Sequence, residues 1–223
     1  MDVQNWMKRL ESALRGQFGE RLFFLGLQGS RARGEAGPDS DIDAVVILDR
    51  VTMEDLSAYR AILDRMPHRE LACGFVCGMT ELENWDPSDL LSLCMDTAPV
   101  FGSLDAAQAK LTAEDVRRAV QIGAGNLYHG AVHSFLHGRS ENTLRGLYKA
   151  ATFVLRAAHY AETGEYLRDS GALAKQLKGL ERQVMEDATA LRKGAPVQCY
   201  EELSGRLTAL SSELLARYGG KTE

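Results

Sequence analysis

Two aspartates and a Gly-Ser pair hold the chemistry this chain has to offer. Asp41 and Asp43 sit one residue apart at the mouth of an apolar run, Ile42 to Leu48. In a strand, residues i and i+2 point to the same face, so two carboxylates would stand side by side. Like charges at that spacing cost free energy unless a cation neutralises them. Hard divalent cations such as Mg2+ take oxygen ligands, one or two carboxylates with substrate phosphates completing the shell. Taken alone, Asp39, Ser40 and Asp41 read as turn residues, because Asp and Ser are ordinary turn formers. Gly29-Ser30 changes that reading. The pair follows a second apolar run, Leu22 to Leu27. Gly lets backbone approach a ligand, and the two N–H groups and the Ser hydroxyl can donate to phosphate oxygens. A helix starting there would add favourable partial charge, and Arg31 and Arg33 would add positive charge. Phosphate donors facing paired carboxylates suit metal-assisted phosphoryl or nucleotidyl transfer.

The elements that must position these groups can be read from pattern. Residues 2 to 15 form an amphipathic helix capped by Asp2, with Gly16 and Gly19 ending it. Arg21 to Leu27 is a first strand, residues 31 to 36 a short helical turn, and Ile42 to Leu48 a second strand. Thr52-Met53-Glu54-Asp55 resembles a capping box, opening a helix that Pro67 stops near Met66. Leu71 to Met79 is a third strand. Asp86-Pro87 opens another helix, and Ala98 to Phe101 is a short edge strand. Alternating strands and helices give an α/β or α+β part with three or four strands.

From about Leu104 no strand-like run remains. Thr112 opens a helix with Val116, Val120, Leu127, Ala131 and Phe135 on one stripe. Ser140 or Asn142 opens a second, which Gly164 ends. A third runs from Leu173 to Leu191, with Gly179 as an interruption. The fourth carries Tyr200, Leu203, Leu207, Leu210 and Leu214. Four amphipathic helices on short loops predict an antiparallel bundle.

Bulk properties narrow the function. The chain has 223 residues and a net charge of -5. That charge gives no general pull toward nucleic acid or acidic membranes. No apolar run approaches the roughly 20 residues needed to span a bilayer. The N-terminus lacks a basic start followed by an apolar core, so a signal peptide is not expected and the cytoplasm is. Cys73, Cys77, Cys94 and Cys199 read as reduced thiols, and Cys73 and Cys77 as buried small apolar residues.

The segment GSRARGEAGPDSDIDAVVIL has Gly29-Ser30, ten intervening residues, then Asp41-Ile42-Asp43, with strands on both sides. It resembles the signature of the DNA polymerase beta-type nucleotidyltransferase superfamily. Its local form most resembles the small bacterial members, including those that adenylylate aminoglycosides (the kanamycin nucleotidyltransferase type). The resemblance implies an α+β chain: a small mixed-sheet nucleotidyltransferase domain over 1–105, then an antiparallel, HEPN-like helical bundle over 106–223. It also implies transfer of NMP from an NTP to an acceptor hydroxyl, on a small molecule such as an aminoglycoside or on a protein, with release of pyrophosphate. Gly29 and Ser30 would bind the triphosphate with Arg33 beside them, and Asp41 and Asp43 would be the catalytic, Mg2+-binding pair. A homodimer is left open, a membrane is not expected as a partner, and the acidic net charge and lack of a basic stripe disfavour nucleic acid.

One departure stands against the pattern. Active members carry a third carboxylate on the next strand, yet Leu71 to Gly78 contains no acid. The equivalent position is expected at Gly74 or a neighbour. Glu70 shares the parity of Gly74, but four strand residues span about 13 Å. Either Glu70 serves through another register, or an acid of the helical part substitutes, or catalysis is weak or absent. In the last case the chain is a nucleotide-binding regulatory or antitoxin-like protein.

For a base, Tyr128, His129 and His133 lie close together on the first bundle helix, though surface histidines on an amphipathic helix explain them as well. Arg156 and His159 are too close in sequence for the Arg-His motif of HEPN ribonucleases. Lys149 reads as a snorkelling side chain.

Overall fold

The computed structural model describes residues 1–220, and these divide into two compact units, 1–110 and 111–220. The first unit begins with α1 (Val3–Phe18), whose N-terminus Asp2 caps by accepting from Asn5 N–H. α1 runs through Gly16 and stops at Gly19, later than the glycine count suggests, because Gly16 keeps a helical backbone while Gly19 turns to φ +57°. Then come β1 (Leu22–Gln28), the single turn α2 (Gly29–Ala32), β2 (Ile42–Leu48) and α3 (Met53–Leu63). The Thr52–Asp55 capping box is formed in full. β3 (Ala72–Gly78), α4 (Met79–Asn84), α5 (Pro87–Asp96), β4 (Ala98–Phe101) and α6 (Asp105–Gln108) complete the unit.

The strands form one mixed sheet in the order β3-β2-β1-β4. β1 is antiparallel to β2 and to β4, and β2 is parallel to β3. Alternation divides the two faces. Ile42, Ala44, Val46 and Leu48 of β2 join Leu22, Leu25 and Leu27 in a core covered by Trp6, Met7, Leu10 and Leu14 of α1 and by Tyr59 and Ile62 of α3. The intervening residues Asp43, Val45 and Ile47 therefore face the other way. Arg21, just before β1, ties the start of that strand to α3. Its guanidinium donates to Asp49 at 2.9 Å and to both carboxylate oxygens of Asp55 at 2.8 and 3.0 Å.

The second unit comprises α7 (Ala113–His137), α8 (Glu141–Thr163), α9 (Ser170–Gln176), α10 (Gly179–Arg192) and α11 (Tyr200–Tyr218). The expected third helix is broken in two, because the chain leaves helical backbone at Leu177 and Lys178 before Gly179 restarts it. Partner numbers fall as residue numbers rise, which makes neighbouring helices antiparallel. On α7 and α8, Gly123 faces Val154 and Gly130 faces Leu147. On α8 and α10, Arg145 donates to the Leu191 carbonyl and Tyr148 to Asp187. On α7 and α11, Ser134 meets the Tyr200 hydroxyl and Arg117 stacks on Tyr218.

Candidate active site

The first unit brings Gly29, Ser30, Asp41 and Asp43 to one end of the sheet. β1 ends at Gln28, which pairs with Asp43 across the β1–β2 ladder. The chain then turns at Gly29, with φ +74°, directly into α2. A Cβ on Gly29 would overlap Oδ2 of Asp43, so this carboxylate rests on the bare Cα of Gly29. Both conditions select glycine: the positive φ and the missing side chain. Gly29 and Ser30 open the helical turn, so their N–H groups have no intrahelical acceptor.

Asp43 is half-buried and Asp41 exposed. Asp41 is held from behind by Arg31. The Arg31 guanidinium donates from Nε to the carbonyls of Ser40 (3.0 Å) and Asp41 (3.1 Å), and from Nη2 to that of Pro38 (3.3 Å). A cation expected to face phosphate instead clasps the loop that delivers the two aspartates. Ser40 tightens the same loop by accepting from Gly37 N–H.

Arg33 is likewise turned inward. Its side chain is 6% exposed, its Nε donates to Glu35 at 3.1 Å, and its Nη1 donates to the wholly buried Asp96. Two carboxylates absorb its charge. The phosphate contact expected of Arg33 gives way to a tie between this loop and the end of α5.

The β2–β3 register settles which face β3 offers to the aspartates. Asp43 pairs with Cys73 and Ala44 with Gly74. Ala72 and Val76 pack on the α1–α3 core, so Cys73 and Phe75 share the face of Asp43. Gly74 lies on the opposite face, at φ +141°, where any Cβ would overlap the Ala44 carbonyl. Of the positions expected, Gly74 or a neighbour, it is the neighbours Cys73 and Phe75 that share the face of Asp43. Glu70 lies in a 3-10 turn before β3, largely exposed and 3.6 Å from His68. Cys73 is exposed on this edge strand, and Cys199 is exposed as well, while Cys77 and Cys94 are buried. Burial raises the thiols of Cys77 and Cys94 to about 11.

Asp41 and Asp43 suit a hard divalent cation whose remaining ligands come from substrate phosphates and water. Among the described residues, no group of three His, Cys, Asp or Glu side chains is arranged to hold a metal ion. Trp6 is buried, donating to the Pro67 carbonyl at 2.7 Å, and Trp85 is exposed against Phe75 with ring centroids 5.4 Å apart. Lys149 is exposed. In the second unit a cavity of about 320 Å³ is lined by Asp187, Cys199, Glu202 and Arg206 among others. Arg206 bridges Asp187 and Glu202 there.

Comparison with known families agrees with this geometry. The nucleotidyltransferase domain family matches residues 7–91. This stretch is a nucleotidyltransferase domain of the DNA polymerase beta type. The chain carrying it is a transferase. Its fold is similar to that of a spectinomycin adenyltransferase, AAD(9), from Enterococcus faecialis, solved with ATP and spectinomycin. The likeness has a TM-score of 0.63 at 15% identity and covers 94% of this chain and 98% of the other. No curated protein sequence matches the chain. Among the described residues no helix is long and apolar enough to cross a membrane.

Proposed function

We propose that this protein is a cytoplasmic, Mg2+-dependent nucleotidyltransferase that moves NMP from an NTP to a hydroxyl of a small acceptor. The contact of the Asp43 carboxylate with the bare Cα of Gly29 carries the reading. It puts a carboxylate next to a strand-end turn whose N–H groups have no intrahelical acceptor, where a triphosphate would lie. The N–H groups of Gly29 and Ser30 and the Ser30 hydroxyl bind phosphate oxygens. Asp41 and Asp43 would hold the metal ion, and Arg31 fixes the loop that carries Asp41. A bound Mg2+ would neutralise charge on the triphosphate and make an acceptor hydroxyl more acidic. The acceptor oxygen then forms a bond to the α-phosphorus. The bond to the β-phosphate oxygen breaks, pyrophosphate leaves, and the hydroxyl proton passes to a base or to water.

The fold likeness to an enzyme solved with ATP and spectinomycin makes that pair the first to test. Incubation with labelled ATP, Mg2+ and spectinomycin, then with a wider panel of NTPs and hydroxylated acceptors, should yield labelled acceptor. Replacing both Asp41 and Asp43 by Asn should remove transfer and leave the melting temperature within a few degrees. Transfer that survives the double replacement would overturn the assignment of the pair.

A second reading has its own observation. β3 offers Cys73 and Phe75, not an acid, to the face of Asp43. A nucleotide-binding protein with regulatory rather than catalytic use would tolerate this. It should gain thermal stability from NTP and Mg2+ while producing no pyrophosphate across the whole panel.

A further inference from the structure

The second unit carries a row of three imidazoles outside the site described above. His129, His133 and His137 recur at every fourth residue along the last three turns of α7. All three are exposed. The ring centroids of His133 and His137 lie 4.8 Å apart, and those of His129 and His133 lie 5.8 Å apart. Neighbouring imidazoles on an exposed helix face gain little from packing and lose from mutual repulsion whenever two are protonated. Among the described residues no hydrogen bond or ion pair to a protein group holds any of the three rings.

We infer that this row is a surface chelate for a borderline divalent transition-metal ion of the Zn2+, Ni2+ or Cu2+ class. Imidazole nitrogen suits these ions, whereas Mg2+ and Ca2+ demand oxygen. Histidines at i and i+4 on one helix face are an established spacing for holding Zn2+. The distances agree with it. With Zn–N bonds of about 2 Å and tetrahedral angles, two ligating ring centroids lie about 5 Å apart. The two observed separations, 4.8 and 5.8 Å, bracket that value. Two rings ligate one ion while water fills the remaining positions, so the site is bidentate. His133 belongs to both pairs and is the residue the site depends on. The ion held here is chemically distinct from the hard cation suited to Asp41 and Asp43, and its binding does not rest on the transferase reading.

Calorimetric titration of the full-length protein with ZnCl2, in a buffer without chelating groups, tests this. Wild-type protein should bind an equivalent of Zn2+ that His133→Ala loses, or binds about tenfold or more weakly. The Asp41→Asn, Asp43→Asn protein should keep that equivalent, which separates this site from the catalytic one. Replacing His129 and His137 singly by Ala identifies the ligating pair. The tighter site is expected to survive loss of His129, the more distant ring. Circular dichroism should show unchanged helix content in each variant, since the side chains are exposed. Unchanged Zn2+ stoichiometry and affinity in His133→Ala overturns the proposal, as does a wild-type dissociation constant weaker than about 1 mM.

Discussion

The carboxylate of Asp43 lies where the side chain of residue 29 would be, so Gly29 and Asp43 form one structural unit across the β1–β2 ladder. Gly29→Ala would carry two penalties. An L-residue at φ +74° costs about 1–2 kcal/mol. The new methyl would also push Asp43 off its position. Gly34 provides the control, since it has φ +71° with open space around its Cα. Gly34→Ala should pay the backbone cost alone. Gly29→Ala should therefore lose at least as much thermal stability as Gly34→Ala, and it alone should lose NTP binding and transfer. Equal NTP affinity in the two, measured by titration, would detach the Gly-Ser turn from the site.

The Arg33–Asp96 pair makes a prediction about stability rather than chemistry. Asp96 is wholly buried and the Arg33 side chain is 6% exposed. Removing one partner of a buried ion pair leaves an uncompensated charge, typically costing about 3–5 kcal/mol. Asp96→Ala should therefore lower the urea midpoint strongly and loosen the loop before Asp41. Glu35 remains on Arg33 and moderates the loss. A change below about 1 kcal/mol would mean that the partners left to Arg33, Glu35 among them, satisfy it.

Acid should act on the opposite end of β1. The Arg21 guanidinium, hydrogen-bonded to both oxygens of Asp55, holds that carboxyl well below the usual carboxylate range. Hydrogen bonds from Thr52 act in the same direction. A depressed pKa means the folded state binds the proton less readily than the unfolded one. The stabilisation is thus complete above the unfolded value of about 4 and is lost as pH falls through the folded one. Melting temperature should decline from about pH 4 downward. Asp55→Asn should be less stable than wild type at pH 7, and the difference should shrink toward pH 2. A constant difference across that range would contradict the linkage.

Much of the positioning frame is legible in the sequence because it is local. β2 coincides with the run Ile42–Leu48, and the Thr52, Asp86 and Thr112 caps lie where Asp, Thr and Pro chemistry places them. What pattern cannot reveal is partnership across distance. Arg31 and Arg33 look like phosphate ligands until their acceptors are seen, and Asp96 lies 63 residues from Arg33. The face of β3 was equally hidden. LACGFVCGM is apolar on both parities, so only the pairing of Asp43 with Cys73 tells which residues share the face of Asp43. The same uniformity concealed the exposure of Cys73.

That register yields the sharpest prediction for the site. Cys73 is exposed and stands beside Asp43 on the neighbouring parallel strand. Adjacent residues across such a ladder lie about 5 Å apart, within reach of a shared cation. Cys73→Asp would set a third carboxylate next to the first two. Divalent-ion affinity rises with the number of charged oxygen ligands. The variant should therefore bind Mn2+, a spectroscopically visible substitute for Mg2+, about tenfold more tightly than wild type, and should transfer NMP faster. Without metal the added charge should lower the melting temperature, because three carboxylates repel one another. Divalent cation should then restore more stability than it adds to wild type. Phe75→Asp, one pair further along the same face, should gain less and should also lose the edge-to-face contact with Trp85. If Cys73→Asp destabilises the fold with no change in Mn2+ affinity, β3 does not look onto the metal side, and the third ligand must come from another element.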